Sequence, residues 1–235
     1  MIIKLKISDL IIDFDTRYPE YMRRRCEGYV VENEVTDLTL RATEEDIQLA
    51  NRDNVGLQEA ELYAMTIPLS EKLPELRRLM THGVAVAYRG RSYMFTAESG
   101  VGKSTHAFMW QKCLDEEQVR VINGDKPIVW FREDGVYATG SPWSGKERLD
   151  ENVALPLGGI CLLRRLGNEP RPRIYRATKE EALDFLMHQV FIPYSPMGKV
   201  LTLKMLEELY HRVPVYHLVT DISEEGVKIA TKELL

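Results

Sequence analysis

Ser92-Tyr93-Met94-Phe95-Thr96-Ala97-Glu98-Ser99-Gly100-Val101-Gly102-Lys103-Ser104-Thr105 decides how this chain is read. A β-prone run passes directly into a glycine-bearing loop that closes on a lysine and two hydroxyl residues. Ala97-x4-Gly102-Lys103-Ser104 fits the phosphate-binding P-loop pattern with one departure, Ala where Gly is commoner. Ala is the smallest replacement and still lets the backbone approach a ligand, provided its φ is negative. Gly100 and Gly102 allow successive N–H groups to turn inward around phosphate oxygens. A helix starting near Lys103 presents unpaired N–H groups and the positive end of its dipole. Lys103 can reach β- and γ-phosphates, and the Ser104 hydroxyl can ligate Mg²⁺. A glycine turn that merely precedes a helix is the competing reading, but the strand–loop–helix context that confirms the pattern is present. Ala97, Glu98, Ser99, Gly100, Val101, Gly102, Lys103, Ser104 and Thr105 are therefore the expected ATP–Mg²⁺ site.

Working upstream, Val84–Tyr88 is a second strand, joined to the first through the turn Arg89-Gly90-Arg91, and His82-Gly83 precedes it. Downstream, the helix should run to about Leu114. Strands are then expected at 119–122, 127–131, 136–138 and 159–163. Val121-Ile122-Asn123-Gly124-Asp125 is a strand ending in a carboxylate, which is where a P-loop fold keeps its acidic metal partner. An Asp in an ordinary Gly-Asp turn is the plainer alternative. Ser104 and Asp125 are the expected metal ligands.

The N-terminal part reads as mixed. Ile3, Leu5 and Ile7, then Leu10, Ile12 and Phe14, alternate as strands do, and Leu38 and Leu40 suggest another. Thr43-Glu44-Glu45-Asp46 is a helix-opening box; further helix is expected at 57–66 and in a short piece ending near Met80. In the last third, Thr178-Lys179-Glu180-Glu181 and Ser195-Pro196 open helices, 213–218 reads as a strand, and 223–235 as a closing helix. Alternating strands and helices around one phosphate loop predict an α/β fold.

The chain has 235 residues, 44% of them hydrophobic and 29% charged, with a formal net charge of −5. Arg23-Arg24-Arg25 is the sole basic knot and too short for a nucleic-acid footprint, so no nucleic-acid partner is expected. No apolar run approaches the ~20 residues that span a bilayer, and the N-terminus lacks a signal peptide's apolar core. Cys26, Cys113 and Cys161 are odd in number and far apart, which suits reduced thiols in a cytoplasmic protein.

With these residues in hand, the chain resembles the kinase domain of HPr kinase/phosphorylase and, more distantly, phosphoenolpyruvate carboxykinase. A hairpin immediately before the P-loop, His82-Gly83-Val84 at its start, and Ile122-Asn123-Gly124-Asp125 at the acidic strand end carry the resemblance. So does Gly140-Ser141-Pro142-Trp143-Ser144-Gly145-Lys146-Glu147 ahead of the 157–163 strand. One Asp stands where that family has an acidic pair. The resemblance implies a mixed-sheet P-loop core over residues 81–235 with a helical last third, and an N-terminal α+β segment over 1–80 packed on it. It implies an ATP-dependent, Mg²⁺-requiring kinase acting on a hydroxyl acceptor, either a small molecule or a Ser of a peptide or protein. Asp125, His82 and Lys103 would be catalytic, and Trp143, Lys146, Glu147 and Arg148 would contact the acceptor. Relatives are often oligomeric, so a homo-oligomer is open. A nucleotide-binding sensor or regulatory NTPase without an acceptor is the alternative. A carboxykinase-like enzyme fits less well, because no second His/Lys/Asp ligand cluster is visible.

Overall fold

The computed structural model describes residues 1–114 and 118–235 as a mixed α/β structure on two sheets. The alternating apolar residues at the N-terminus form the antiparallel pair β1 (Ile2–Ile7) and β2 (Leu10–Asp15), and β3 (Leu38–Leu40) adds in parallel. α1 (Pro19–Arg25), α2 (Glu44–Ala50), α3 (Leu57–Ala64) and α4 (Thr66–Lys72) supply Met22, Ile47, Leu62 and Leu69 to the same apolar cluster as Leu5, Ile12 and Phe14. Thr43 and Asp46 cap α2 reciprocally, as their spacing predicts.

The helix expected to end near Met80 stops at Lys72 instead. Pro74 offers no N–H to a helical ladder, and Arg77, at a φ of 60°, turns the chain out of helical backbone. Beyond it, β4 (Arg78–Met80) is fully buried and pairs antiparallel with β8 (Ile128–Phe131). Met80 and Ile128 join the N-terminal cluster, and so does Trp143.

The larger sheet also contains β5 (Val84–Tyr88), β6 (Arg91–Thr96), β7 (Val119–Asn123), β9 (Val136–Thr139), β10 (Ala154–Arg165), β11 (Arg173–Arg176) and β12 (Val215–Thr220). β10 is far longer than the expected 159–163. Its first three residues pair antiparallel with β9, and its remainder lies parallel to both β6 and β12. β11, an edge strand of Arg-Ile-Tyr-Arg, gives no apolar alternation and was not expected.

Side chains alternate across the β5–β6 hairpin. Val84, Val86 and Phe95 pack with Ala107 and Trp110 of α5 (Lys103–Cys113) and Val227 and Ala230 of α8 (Glu224–Leu234). Ala85, Ala87 and Met94 face the other way. They pack with Leu186 of α6 (Lys179–Met187) and Leu206 of α7 (Pro196–Arg212). Full burial of such side chains stabilises by ~1.5–3 kcal/mol each. The hairpin is thus clamped on both faces.

Strand direction then places the loops. β6, β7, β10 and β12 run the same way, and β5 runs against them. The residues after β6, β7, β10 and β12 and those before β5 therefore meet at one sheet edge. Open α/β sheets bind ligands outside this carboxyl edge. No helix among the described residues is long and apolar enough to cross a membrane.

Candidate functional site

The loop after β6 is set by its glycines: Gly100 and Gly102 adopt φ of 77° and 117°. Side chains rarely tolerate these values, so the sequence must supply glycine there. Ala97 is absent from the positive-φ residues and is fully buried, so the departure from the usual pattern introduces no strain. Gly102 sits at the start of α5 and provides no side-chain cap. The first backbone bond into α5 runs from His106 N–H to the Gly102 carbonyl. The N–H groups of Lys103, Ser104 and Thr105 thus stand free at the positive end of the helix. Lys103 Nζ donates to the Ala97 and Glu98 carbonyls at 3.0 and 3.3 Å, folded across the loop mouth. Burial lowers its pKa, with Asp125 opposing.

Across the cleft, Asn123 shapes the turn that carries Asp125. The Asn123 Oδ1 accepts from the N–H groups of Asp125 (2.9 Å) and Lys126 (2.6 Å), while Nδ2 donates to the Ser141 carbonyl at 2.9 Å. Asn123 is fully buried, so in this chain it positions the acid and does not replace a second one. Asp125 Oδ2 accepts from Lys126 Nζ, and Oδ1 lies 3.6 Å from His82 Nε2. His82 is tied in by its backbone: its N–H donates to Gln189 O at 2.6 Å, and its carbonyl accepts from Thr96 Oγ1 at 2.7 Å. Burial first, then the nearby Lys103, lowers the imidazole pKa, and Asp125 pulls the other way. The ring is therefore neutral near pH 7.

His82, Ser99, Gly100, Gly102, Lys103, Ser104, Thr105, Asp125, Lys146 and Glu147 all line one cleft of about 530 Å³. A second cavity of about 700 Å³ lies on the other side of the loop, between Gly100, Val101 and Gly102 and the ends of β10 and β12 at Arg164, Arg165 and Asp221. Gly100 and Gly102 border both. The loop accordingly separates a roomy cavity from a charged cleft.

Of the expected acceptor residues, two stand outside the cleft, and one expected loop residue joins the loop's bonding only through its backbone. Trp143, expected to contact the acceptor, has no exposed surface. Its indole donates to the Leu62 carbonyl at 2.7 Å, and its ring lies 6.1 Å from Phe14. An indole buries large apolar area when one carbonyl can take its N–H, so Trp143 anchors the 140–149 loop and cannot touch an acceptor. Glu98 takes part in the lysine's bonding only through its carbonyl, with its side chain exposed. Arg148 lines a neighbouring pocket rather than the cleft. Two residues at or beside the cleft had no sequence signal. Lys126 bonds Asp125 and lies over the Tyr63 ring at 5.0 Å, and Tyr63 arrives from α3, sixty residues away in sequence. Burial and Asp125 push the Tyr63 phenol up to about 12.

Among the described residues, no group of three or more His, Cys, Asp and Glu side chains converges as a metal site. The donor set at hand is the Ser104 hydroxyl and the Asp125 carboxylate, both oxygens in the same cleft, and Asp125 Oδ1 makes no hydrogen bond with any described residue. Mg²⁺ keeps several waters and takes one or two protein oxygens beside substrate phosphates. The residues fit that ion.

No family model matches the chain, and no curated protein matches it. Among solved structures it is similar to the HPr(Ser) kinase/phosphatase from Coxiella burnetii, at 11% identity and a TM-score of 0.29, over 56% of this chain and 89% of that one.

Proposed function

We propose that this chain is an ATP-dependent, Mg²⁺-requiring phosphotransferase that passes the γ-phosphoryl group to a hydroxyl acceptor. One observation carries the reading: three free N–H groups and Lys103 at the start of α5 share a single cleft with Asp125 and His82. The α5 N-terminus binds the phosphates, and Lys103 exchanges the Ala97 and Glu98 carbonyls for phosphate oxygens. The nucleoside occupies the cavity beyond Gly100 and Gly102. Ser104 and Asp125 would hold Mg²⁺, which supplies charge neutralisation when bound. Asp125 Oδ1 orients the acceptor hydroxyl and takes its proton, while Lys126 fixes Oδ2. His82, neutral beside Asp125, leaves that carboxylate free for this task. Lys146 and Glu147 border the acceptor side. Residues 81–235 hold these parts, and residues 1–80 contribute Tyr63. In phosphoryl transfer the protein mainly positions and screens charge, and these parts suffice for that.

Calorimetric titration of the folded Lys103→Ala chain with ATP–Mg²⁺ tests the nucleotide half: most affinity should vanish, and unchanged affinity removes the assignment. γ-Labelled ATP incubated with hydroxylated metabolites and Ser peptides tests transfer. Hydrolysis with no labelled acceptor across the screen would favour a sensor.

A further inference from the structure

A smaller pocket, of about 230 Å³, opens beside the cleft and is lined by Tyr21, Arg24, Arg25, Glu27, Arg148 and Asp150. Arg25 is its unusual member. Only 5% of its side chain is exposed, yet among the described residues just one of its five N–H donors makes a hydrogen bond, a 3.4 Å contact from Nη2 to Ser144 Oγ. Its Nε is buried with no partner. Glu59 and Asp150 lie 3.9 Å away, too far for hydrogen bonds, and each is occupied elsewhere, Glu59 by Tyr21 and Asp150 by Ser144. A guanidinium taken out of water without such bonds is costly unless something else completes them. Arg24 and Arg148, both exposed, make no ion pair with any described residue.

The pocket adjoins the reacting centre. Ser144 touches Arg25, and the next residue, Gly145, packs against Asp125, where an added Cβ would come within 3.3 Å of the Asp125 Cβ. Tyr63 lines the cleft and feels Arg25, Arg148 and Asp125 together. At about 230 Å³ the pocket is smaller than the roughly 300 Å³ at which ligand pockets for drug-sized molecules begin. It suits one small group.

We propose that the acceptor is a small molecule carrying an anionic group, a carboxylate or a phosphomonoester, which Arg25 and Arg148 bind while its hydroxyl lies at Asp125. The inference rests on the phosphotransferase reading. The acceptor oxygen attacks the γ-phosphorus and its proton passes to Asp125. The bond from the γ-phosphorus to the β–γ bridging oxygen breaks, and ADP leaves with the electron pair.

The test is titration of the full chain, saturated with a non-hydrolysable ATP analogue and Mg²⁺, with malonate, inorganic phosphate and glycerol. Malonate or phosphate should bind at one site and glycerol should not; which anion binds tells carboxylate from phosphomonoester. Arg148→Met, at an exposed position, should weaken the anion tenfold or more and leave the analogue's affinity unchanged; Arg25→Met should do the same if circular dichroism shows it folded. In transfer assays glycerate, serine or glycerol 3-phosphate should take label in preference to glycerol. Neither anion binding to a chain that still binds the analogue overturns this inference and leaves the phosphotransferase reading standing. Loss of analogue binding sinks that reading instead, and the same Arg148 comparison on the free chain then decides the pocket. Anion binding indifferent to Arg148→Met, or label going only to neutral alcohols or Ser peptides, also overturns it.

Discussion

At the scale of single residues, the proposed chemistry depends on a few side chains whose partners hold them still. Asn123 spends its carbonyl on two backbone donors and its amide on Ser141. Asn123→Ala should therefore cost about 1–3 kcal/mol in denaturant unfolding, since the half-buried Asp125 N–H loses its acceptor while the Lys126 N–H keeps the Trp143 carbonyl at 3.0 Å. Turnover should fall further than ATP affinity does, because the Asp125 turn is what moves. His82 offers a pH test. Its pKa lies below the ordinary 6.5, chiefly through burial. Protonation there would put a cation beside Asp125 and tie up the base, so kcat/KM should hold at neutral pH and fall on an acid limb below 6.5. His82→Asn should remove that limb, and an unchanged pH profile would dissociate His82 from Asp125. Trp143→Ala should destabilise by about 3–5 kcal/mol, the usual range for a buried aromatic. Its effect on activity should track the misplaced 140–149 loop.

At the scale of elements, the β6–loop–α5 unit forms the proposed phosphate cradle and carries its own stability signal. A Cβ at Gly102 would meet nothing within 4 Å, but φ is 117° there. Gly102→Ala should thus act through backbone strain, costing about 1–3 kcal/mol and weakening ATP at least tenfold while α5 persists by circular dichroism. Within α5, His106 is buried against Phe95, its Nε2 accepts from Trp110, and burial lowers its pKa to about 4. The unfolded chain binds that proton near 6.5 and the folded chain only near 4. Stability is therefore whole above 6.5 and declines as pH falls toward 4, by up to about 3 kcal/mol. Melting curves from pH 7.5 to 4.5 should show the decline. His106→Phe should flatten it, at a cost near 1 kcal/mol at neutral pH for the unpaired Trp110 N–H.

At the scale of the whole molecule, the N-terminal cluster and the larger sheet share side chains. Met80, Ile128 and Trp143 pack with Leu5, Phe14 and Leu62. Buried Arg78 donates to the Ser8 carbonyl at 2.7 and 2.9 Å and stacks 4.5 Å from the Trp130 ring. Calorimetry should accordingly show one cooperative transition for residues 1–80 and the rest together. Arg78→Met should lower its midpoint, because the Ser8 carbonyl loses its donors. Two separated transitions would show that the shared packing does not couple them.

What the sequence determined by itself is local. Strand alternation, two capping boxes and a loop needing positive φ at Gly100 and Gly102 are properties of neighbouring residues, so the hairpin, the cradle and most helices were legible. The placement of Asp125 and His82 was legible too, because each adjoins a readable strand end. Only the tertiary structure decided the rest. Lys126, Tyr63 and Arg25 enter the site's surroundings through contacts between elements distant in sequence, and no spacing rule foretells those. Trp143 shows the same limit in reverse. A tryptophan between glycines reads as a surface contact until the fold offers the Leu62 carbonyl, since burying an indole is favourable only where its N–H finds an acceptor.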